Sequence, residues 1–335
     1  MSQASGEAMR RREFITLFGG AAAWPLVAHA QQPKLPVVGY LSTGSPEADA
    51  TPLAAFRKGL GDMSFVEGQN VVIEYRWGNF RYERLSVMAA DLVQRSVAVI
   101  AAIGGTPTGL AAKAATATVP IVFYLGIDPV KFGLVASLNH PGGNVTGIVG
   151  APAELIAKRI QFLHELVPKA TVVAMLANPE NPYTEPEARA VQDAAHSLGL
   201  GELQILRASS TSEIDGVFQR LPQLHVDALI VSADLFLLSQ HKQIAAAAAQ
   251  QNLPTMYPWR EYVSAGGMVS YGPNASEAYR LVGSYAGKIL RGAPPAELPV
   301  EQQNKMDLVI NLRATKVLQV SVPIPVMGRA DEVIE

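Results

Sequence analysis

The chain of 335 residues contains no cysteine. Without a thiol it forms no disulfide, carries no lipid on a cysteine, holds no iron–sulfur cluster through thiolates and has no thiol nucleophile. Histidine is also sparse, and none of the six histidines stands at the close spacing of a metal-binding pair. The sequence therefore predicts no cofactor and no metal.

The short motifs of nucleotide-binding and hydrolytic enzymes are missing as well. Residues 104–109 (GGTPTG) have two glycines at P-loop spacing, but Leu110 and Ala111 stand where that loop needs lysine and a hydroxyl residue. No G-x-G-x-x-G follows a predicted strand, and no serine sits in G-x-S-x-G. The formal net charge of −2 gives no basic footprint for nucleic acid. We therefore expect neither an enzyme nor a nucleic-acid partner.

Long apolar runs are absent too. The run near the N-terminus, residues 14–27, falls short of the roughly 20 residues that span a bilayer. It follows three arginines at residues 10–12 and leads to an A-x-A cleavage pattern at residues 28–30. These features predict a twin-arginine signal peptide over residues 1–30, cleaved after Ala30, and hence a periplasmic protein. An uncleaved anchor is the alternative.

Apolar residues as such are plentiful. Hydrophobic residues make up 49% of the chain and charged residues 17%, which is typical of a globular protein. The length exceeds what one core usually organises, so we expect two domains. From Pro36 onward short apolar runs alternate with stretches of helical periodicity, and the alternation restarts after Pro152. This pattern predicts the α/β class, with two doubly wound Rossmann-like lobes.

The sharpest local signal lies in residues 96–109 (SVAVIAAIGGTPTG). Its unbroken apolar run is typical of a strand buried on both faces of a parallel sheet. The run stops at Gly104 and Gly105, and Thr106 as N-cap with Pro107 behind it can open the following helix. Because a helix N-terminus at a strand end binds anions, we predict a seat for a small anionic ligand here. The alternative is a tight turn without a ligand.

Other candidates lie at predicted strand ends, where ligands of doubly wound sheets collect. The candidate ligand-binding residues are Ser42, Thr43, Gly104, Gly105, Thr106, Asp128, Asn178, Asp234 and Tyr257. Asp128 and Asp234 could meet a ligand cation or could be turn and N-cap residues. Tyr257 could offer an aromatic face or belong to the core. Arg260 could reach a ligand carboxylate or form a surface pair with Glu261.

Several segments resemble the ABC-transporter substrate-binding proteins of the tryptophan/tyrosine-binding type. Besides the leader, the segments that carry the resemblance are residues 66–70 (VEGQN), 75–77 (YRW), 128–135 (DPVKFGLV), 141–147 (PGGNVTG), 257–262 (YPWREY) and 330–334 (ADEVI). The likeness extends over nearly the whole chain after Met9.

This resemblance implies a type I periplasmic-binding fold, in which two lobes joined by three hinge crossings close over a small molecule. We place lobe 1 in residues 31–149 plus 268–291 and lobe 2 in residues 150–267 plus 292–335. The expected crossings are rich in glycine or proline and lie near residues 147–152, 266–267 and 291–295.

The resemblance also implies partners and a ligand class. The partners would be an ABC permease and ATPase in the inner membrane, and the ligand an aromatic amino acid or a related small organic acid. On the family pattern, residues 104–106 hold the ligand carboxylate, and Asp234 faces the amine. Asp128 and Asn178 line the cleft. An exported sensor subunit and an exported enzyme on the same fold are the alternatives, and the identity of the ligand stays open.

Overall fold

The computed structural model describes residues 35–150, 152–201, 203–303 and 305–335, with backbone alone for residues 152–154. The predicted signal peptide and its cleavage site lie outside the described residues. Within them, no helix combines the length and the apolar character needed to cross a membrane.

Strands and helices alternate along the chain, as the sequence pattern predicts. The elements of the first half are β1 (Val37–Ser42), α1 (Ala50–Asp62), β2 (Val72–Trp77), α2 (Leu85–Gln94), β3 (Val99–Ile103), α3 (Thr106–Ala115), β4 (Ile121–Leu125) and β5 (Val145–Val149). The remaining elements are α4 (Pro152–Leu166), β6 (Val173–Ala177), α5 (Thr184–Ser197), β7 (Leu203–Arg207), α6 (Thr211–Leu224), β8 (Ala228–Val231), α7 (Leu235–Ser239), α8 (His241–Gln250), β9 (Thr255–Tyr257), α9 (Arg260–Ser264), β10 (Val269–Pro273), α10 (Ala275–Leu290), β11 (Glu301–Gln302), β12 (Met306–Asn311), α11 (Leu312–Val317), α12 (Ile324–Met327) and β13 (Glu332–Ile334). The described residues also contain two short 3₁₀ helices, Tyr82–Arg84 directly before α2 and Pro295–Glu297 in the loop after α10.

The strands form two sheets. The first has the order β11-β5-β4-β3-β1-β2 and is parallel throughout. The second has the order β13-β12-β10-β9-β8-β6-β7 and is parallel except between β10 and β12. Every residue of β3 and β5 is buried, as expected for central strands of a sheet covered on both faces. The predicted α/β class with two doubly wound lobes is confirmed.

Each sheet has a hydrophobic core on both faces. On one face of the first sheet, α1 and α10 pack with their backbones nearly in contact. A Cβ atom added to Gly283 of α10 would lie 2.1 Å from the carbonyl oxygen of Phe56 in α1. Helix α10 therefore belongs to the first lobe, although the strand before it belongs to the second sheet.

The chain passes between the two lobes three times. The first passage joins β5 to α4, the second joins β10 to α10 at Asn274, and the third joins β11 to β12. The boundaries predicted at residues 268 and 292 are therefore wrong. Strand β10 pairs with β9 and β12 in the second sheet, whereas β11 pairs with β5 in the first.

The misplaced crossings have a common cause, because the glycines that suggested them serve ordinary turns. Gly266 has φ +102° in the turn between α9 and β10, and Gly292 has φ +97° just after α10. Both are left-handed conformations that glycine adopts without strain. Sheet pairing, and not glycine content, decides where the chain changes lobe.

Gln303 ties the crossings together. Its side-chain amide donates to the carbonyl oxygen of Asn274 at 2.6 Å, and its Oε1 accepts from the hydroxyl of Tyr124 at 3.3 Å. Its backbone N–H donates to the carbonyl oxygen of Val149 at 2.8 Å. The side chain is 6% exposed, so these bonds lie beneath the cleft and fix the hinge side of it.

Candidate functional site

A cavity lies between the lobes at the carboxyl ends of the central strands. Its walls include, from the first lobe, Tyr82, Gly104, Gly105, Thr106, Tyr124 and Tyr279, and, from the second, Arg159, Asn181, Tyr183, Glu187, Trp259 and Glu261. Because both lobes supply its walls, a change in their separation opens or closes the cavity.

The glycine turn after β3 forms one wall of the cavity, as the sequence predicts. A Cβ atom on Gly104 would lie 2.5 Å from the backbone nitrogen of Thr43, so the neighbouring strand end tolerates glycine alone at this point. The hydroxyl of Thr43 donates to the carbonyl oxygen of Gly104 at 2.9 Å and holds the turn in place. Thr43 therefore supports the cavity wall from behind.

The cap of helix α3 differs from the prediction. Gly105, with φ +75°, occupies the N-cap position, and Thr106 is the first helical residue. The Thr106 hydroxyl therefore makes no capping hydrogen bond. Thr106 is buried, with 5% of its surface exposed, and its hydroxyl has no hydrogen-bond partner among the described residues. The first turn carries no acidic residue. A helix N-terminus with free N–H groups and a free hydroxyl at a cavity wall suits an anion.

Aromatic side chains make up much of the remaining wall. The rings of Tyr124 and Tyr279, both from the first lobe, meet edge to face with centroids 5.4 Å apart. Burial raises the pKa of Tyr82, Tyr124 and Tyr183, so these phenols are neutral at physiological pH. The tyrosine rings therefore give the walls flat apolar faces that carry hydroxyl groups.

A buried ion pair in the second lobe is a site feature that the sequence reading missed. The side chains of Arg159 and Glu187 are 2% and 4% exposed, with Nη1 4.0 Å from Oε1. Burial lowers the pKa of Arg159 and raises that of Glu187, while each charge favours the ionised form of the other. The sequence contains one sign that Arg159 is buried. Arg159 follows Leu155 and Ile156 at helical spacing, which places it on the buried face of α4.

Asp234 is buried, but it does not line the cavity. Its Oδ2 accepts from the Tyr82 hydroxyl at 2.5 Å and from the Asn181 amide at 2.9 Å. Its Oδ1 accepts from the Asn178 amide at 3.2 Å and from the Leu237 N–H at 3.0 Å, the latter as N-cap of α7. Two bonds to each oxygen use the capacity of the carboxylate. Since Tyr82 comes from the first lobe, this cluster also joins the lobes.

Other predicted site residues lie elsewhere. Asp128 accepts from the N–H groups of Val130 and Lys131, and its side chain is 40% exposed outside the cavity. Tyr257 is 1% exposed in the core of the second lobe and stacks on Tyr262 at 4.8 Å. The structure therefore places both residues outside this cavity, Asp128 in a turn and Tyr257 in the core.

Two further predictions have simple structural outcomes. Arg260 forms the surface ion pair that was one of its alternatives, but its partner is Glu332, at 2.8 Å, and not Glu261. Asn178 is 2% exposed behind the cavity wall, where its Oδ1 accepts from the N–H of Glu180.

A second chamber adjoins the cavity and shares Gly104, Glu261 and Tyr279 with it. Ser42 and Asp49 line this chamber. Burial raises the pKa of Asp49 to about 6, although the hydrogen bond from the Trp77 indole opposes the shift. The Trp77 indole N–H is 3.1 Å from Asp49 Oδ2. This chamber therefore contains a buried carboxyl group whose pKa lies well above that of an exposed aspartate.

Known proteins resemble this chain over most of its length. The model of the family described as ABC transporter substrate binding protein matches residues 45–334. A curated relative, the tyrosine-binding protein of Clostridioides difficile strain R20291, is 26% identical over 263 residues, which is 78% of this chain and 75% of the relative. A solved conserved domain protein from Vibrio cholerae O1 biovar El Tor is 25% identical, with a TM-score of 0.81 over 90% of this chain and 100% of that one.

Two other solved structures share the fold. An ABC domain in complex with L-Trp from Streptococcus pneumoniae has a TM-score of 0.80 over 90% of this chain and 100% of that one. The ligand-free, open structure of a substrate-binding protein with adhesive properties from Clostridium difficile has a TM-score of 0.62 over 90% and 99%. Identity is 22% in both cases.

The fold, the cavity between the lobes and the match to the family model point the same way. The chain belongs to the ABC transporter substrate-binding protein family and has the type I periplasmic-binding fold.

Proposed function

We propose that this protein is exported and captures a small organic ligand, an aromatic amino acid or a related carboxylate, between its two lobes. It then delivers the ligand to an ABC permease and ATPase in the inner membrane. The observation that carries the proposal is the cavity itself, which both lobes line with tyrosine rings beside the N-terminus of α3.

The ligand class is supported by the chemistry of the walls. Tyrosine and tryptophan rings offer flat apolar contacts to an aromatic ring. The free N–H groups of α3 and the Thr106 hydroxyl offer hydrogen bonds to a carboxylate. The names of the relatives agree with this choice, since one is a tyrosine-binding protein and another structure contains L-Trp.

The mechanism is a shift between open and closed lobes. A ligand that touches both lobes binds the closed form better than the open form and therefore increases the closed population. Three crossings and the Gln303 hydrogen bonds form the hinge side, and the Tyr82–Asp234 bond forms inside the closing cleft. The transporter then distinguishes loaded from empty protein by its shape.

The direct test is mass spectrometry of the small molecule that co-purifies with the protein, followed by thermal unfolding with that molecule. A ligand at about 100 times its Kd stabilises the folded state by about 2.7 kcal/mol, which raises Tm by about 4 °C for a chain of this size. No shift with any amino acid or aromatic acid at millimolar concentration would contradict the proposal. Turnover of the ligand would favour an enzyme instead.

The carboxylate seat is tested with one matched pair of variants. Thr106→Val removes the free hydroxyl at the first position of α3, and we expect affinity to fall by about 1–3 kcal/mol. Thr211→Val is the control, since Thr211 is the first residue of α6 but is exposed and outside the cavity. Unchanged affinity in the Thr106 variant would remove that residue from the site.

A further inference from the structure

We propose that the ligand is a small aromatic carboxylate whose carboxyl group binds the Arg159 guanidinium, and that an α-ammonium group contributes little to its binding. The inference rests on the proposed function and narrows its ligand class. It depends on which hydrogen-bonding groups of the cavity are already used by the protein and which remain free.

Arg159 is held from behind and is open toward the cavity. Its Nε donates to the carbonyl oxygen of Tyr271 at 2.7 Å, and its Nη2 donates to the carbonyl oxygen of Pro258 at 3.3 Å. Nη1 makes no hydrogen bond to any described residue, and Glu187 Oε1 is 4.0 Å away. A side chain that is 2% exposed and lines the cavity therefore still has free donors. A planar guanidinium fixed in this way is suited to a carboxylate.

Glu187, the counter-ion of Arg159, already accepts hydrogen bonds within its own lobe. Glu187 accepts hydrogen bonds from the Ser232 hydroxyl and, at 3.3 Å, from the N–H of Ala233. These donors belong to the same lobe as Glu187, so they stay bound whether the lobes are open or closed. Each Glu187 oxygen thus accepts one hydrogen bond from its own lobe, and the Arg159 guanidinium balances the charge of the carboxylate. A ligand ammonium therefore gains less from Glu187 than it would from a carboxylate without a counter-ion.

No other buried carboxylate of the described residues is free to hold an ammonium group in this cavity. Asp234, the residue expected to face an amine, already accepts two hydrogen bonds at each oxygen and lies behind the wall. Glu261 does line the cavity, but it is exposed. An ion pair with an exposed carboxylate changes affinity by less than about fivefold. The buried donors without a hydrogen-bond partner in this cavity, among the described residues, are therefore Arg159 Nη1 and the Thr106 hydroxyl, and both suit a carboxylate.

Isothermal titration calorimetry with matched compounds tests the proposal. The probes are phenylalanine, tyrosine and tryptophan, the corresponding desamino acids (phenylpropionate, hydroxyphenylpropionate and indolepropionate) and the corresponding amines (phenethylamine, tyramine and tryptamine). For the ring that binds best, we expect the desamino acid to bind within about fivefold of the amino acid. The amine should bind at least about tenfold more weakly, because it leaves the guanidinium donors unpaired.

Variants assign the carboxylate to Arg159. Arg159→Met combined with Glu187→Gln removes both charges together, so neither is left buried alone. We expect this protein to lose at least about tenfold in affinity for the desamino acid and to change little toward the amine. Arg159→Lys keeps the charge but loses the paired N–H donors of the guanidinium. This variant replaces the double variant in the test if the double variant does not fold. Arg207→Met is the control, because Arg207 forms an exposed pair with Glu185 outside the cavity.

The possible results distinguish failure of this inference from failure of the proposed function. An amino acid that binds more than about fiftyfold tighter than its desamino acid overturns the inference and leaves the proposed function standing. Unchanged carboxylate affinity in a folded Arg159 variant overturns it as well. Absence of binding by every compound overturns the proposed function and the inference with it.

Discussion

The hydroxyl of Tyr82 donates from the first lobe to the Asp234 carboxylate of the second lobe, at 2.5 Å. Tyr82→Phe deletes this donor and keeps the ring that lines the cavity. Because burial raises the pKa of Tyr82, the phenol is protonated at neutral pH and remains a donor throughout the useful range. The substitution therefore removes one hydrogen bond between the lobes.

The size of the effect follows from the type of bond. A hydrogen bond to a charged group contributes about 1.5–3 kcal/mol net of its exchange with water. In the open form the Tyr82 hydroxyl and Asp234 bind water, so the loss falls on the closed form. The closing equilibrium then weakens by about 10- to 150-fold, since 1.4 kcal/mol corresponds to a factor of ten. If the closed form is the one that binds, the apparent Kd rises by the same factor.

Titration calorimetry with the co-purified ligand measures the change in Kd, and small-angle X-ray scattering of the free protein reports the opening. Tyr285→Phe is the matched control. Its hydroxyl donates to the carbonyl oxygen of Pro299 at 2.9 Å, and both groups belong to the first lobe. The control should lose some stability toward unfolding and keep its affinity.

The reasoning would be refuted by a Tyr82→Phe protein that binds within twofold of the wild type and scatters identically. A loss of affinity equal to that of the Tyr285→Phe control would refute it too, because the effect would then come from general destabilisation. Partial loss of Tm alone does not distinguish these cases, so affinity is the deciding measurement.

Three further changes test other parts of the structure. The folded state binds the Asp49 proton more tightly than the unfolded chain does. The contribution of Asp49 to the free energy of unfolding therefore falls by about 3 kcal/mol as pH rises from about 4 to about 6. Urea unfolding across this range should show that slope in the stability difference between Asp49→Asn and wild type. Arg159→Met alone should lower the free energy of unfolding by about 3–5 kcal/mol, and the additional change Glu187→Gln should recover part of this loss. If urea unfolding shows that the losses of the two variants add, the two side chains are not a coupled pair. Gly104→Ala should destabilise the protein by about 1–3 kcal/mol and weaken binding, since its Cβ would lie 2.5 Å from a backbone nitrogen just after β1; Gly61→Ala, with open space around it, should not lower Tm.

Some elements escaped the sequence pattern for identifiable reasons. Strand β11 has two residues, too few to show any periodicity, yet it moves residues 301–302 to the first sheet. The segment after β12 adds α11, α12 and the edge strand β13, each too short for a helical or alternating pattern. Residues 130–138 form turns and bends, and the Asp128 side chain accepts from the backbone N–H of Val130 at their start.

The sequence by itself determined the alternation of buried strands and helices, and with it the α/β class and the two lobes. It also located the turn at Gly104 and Gly105, because an apolar run, two glycines and Pro107 act over a few neighbouring residues. Local periodicity reports burial and element ends, and these depend mainly on residues close together in the chain.

Only the tertiary structure decided which polar groups remain free for a ligand. Asp234 is satisfied by Tyr82, 152 residues away, and Arg159 is held by carbonyl groups 112 and 99 residues further on. Such partners are set by how sheets and helices pack, and a side chain looks the same in the sequence whether or not its hydrogen bonds are already made. The physical reason is distance along the chain: the fold follows from local patterns, whereas the chemistry of the cavity follows from contacts that those patterns do not encode.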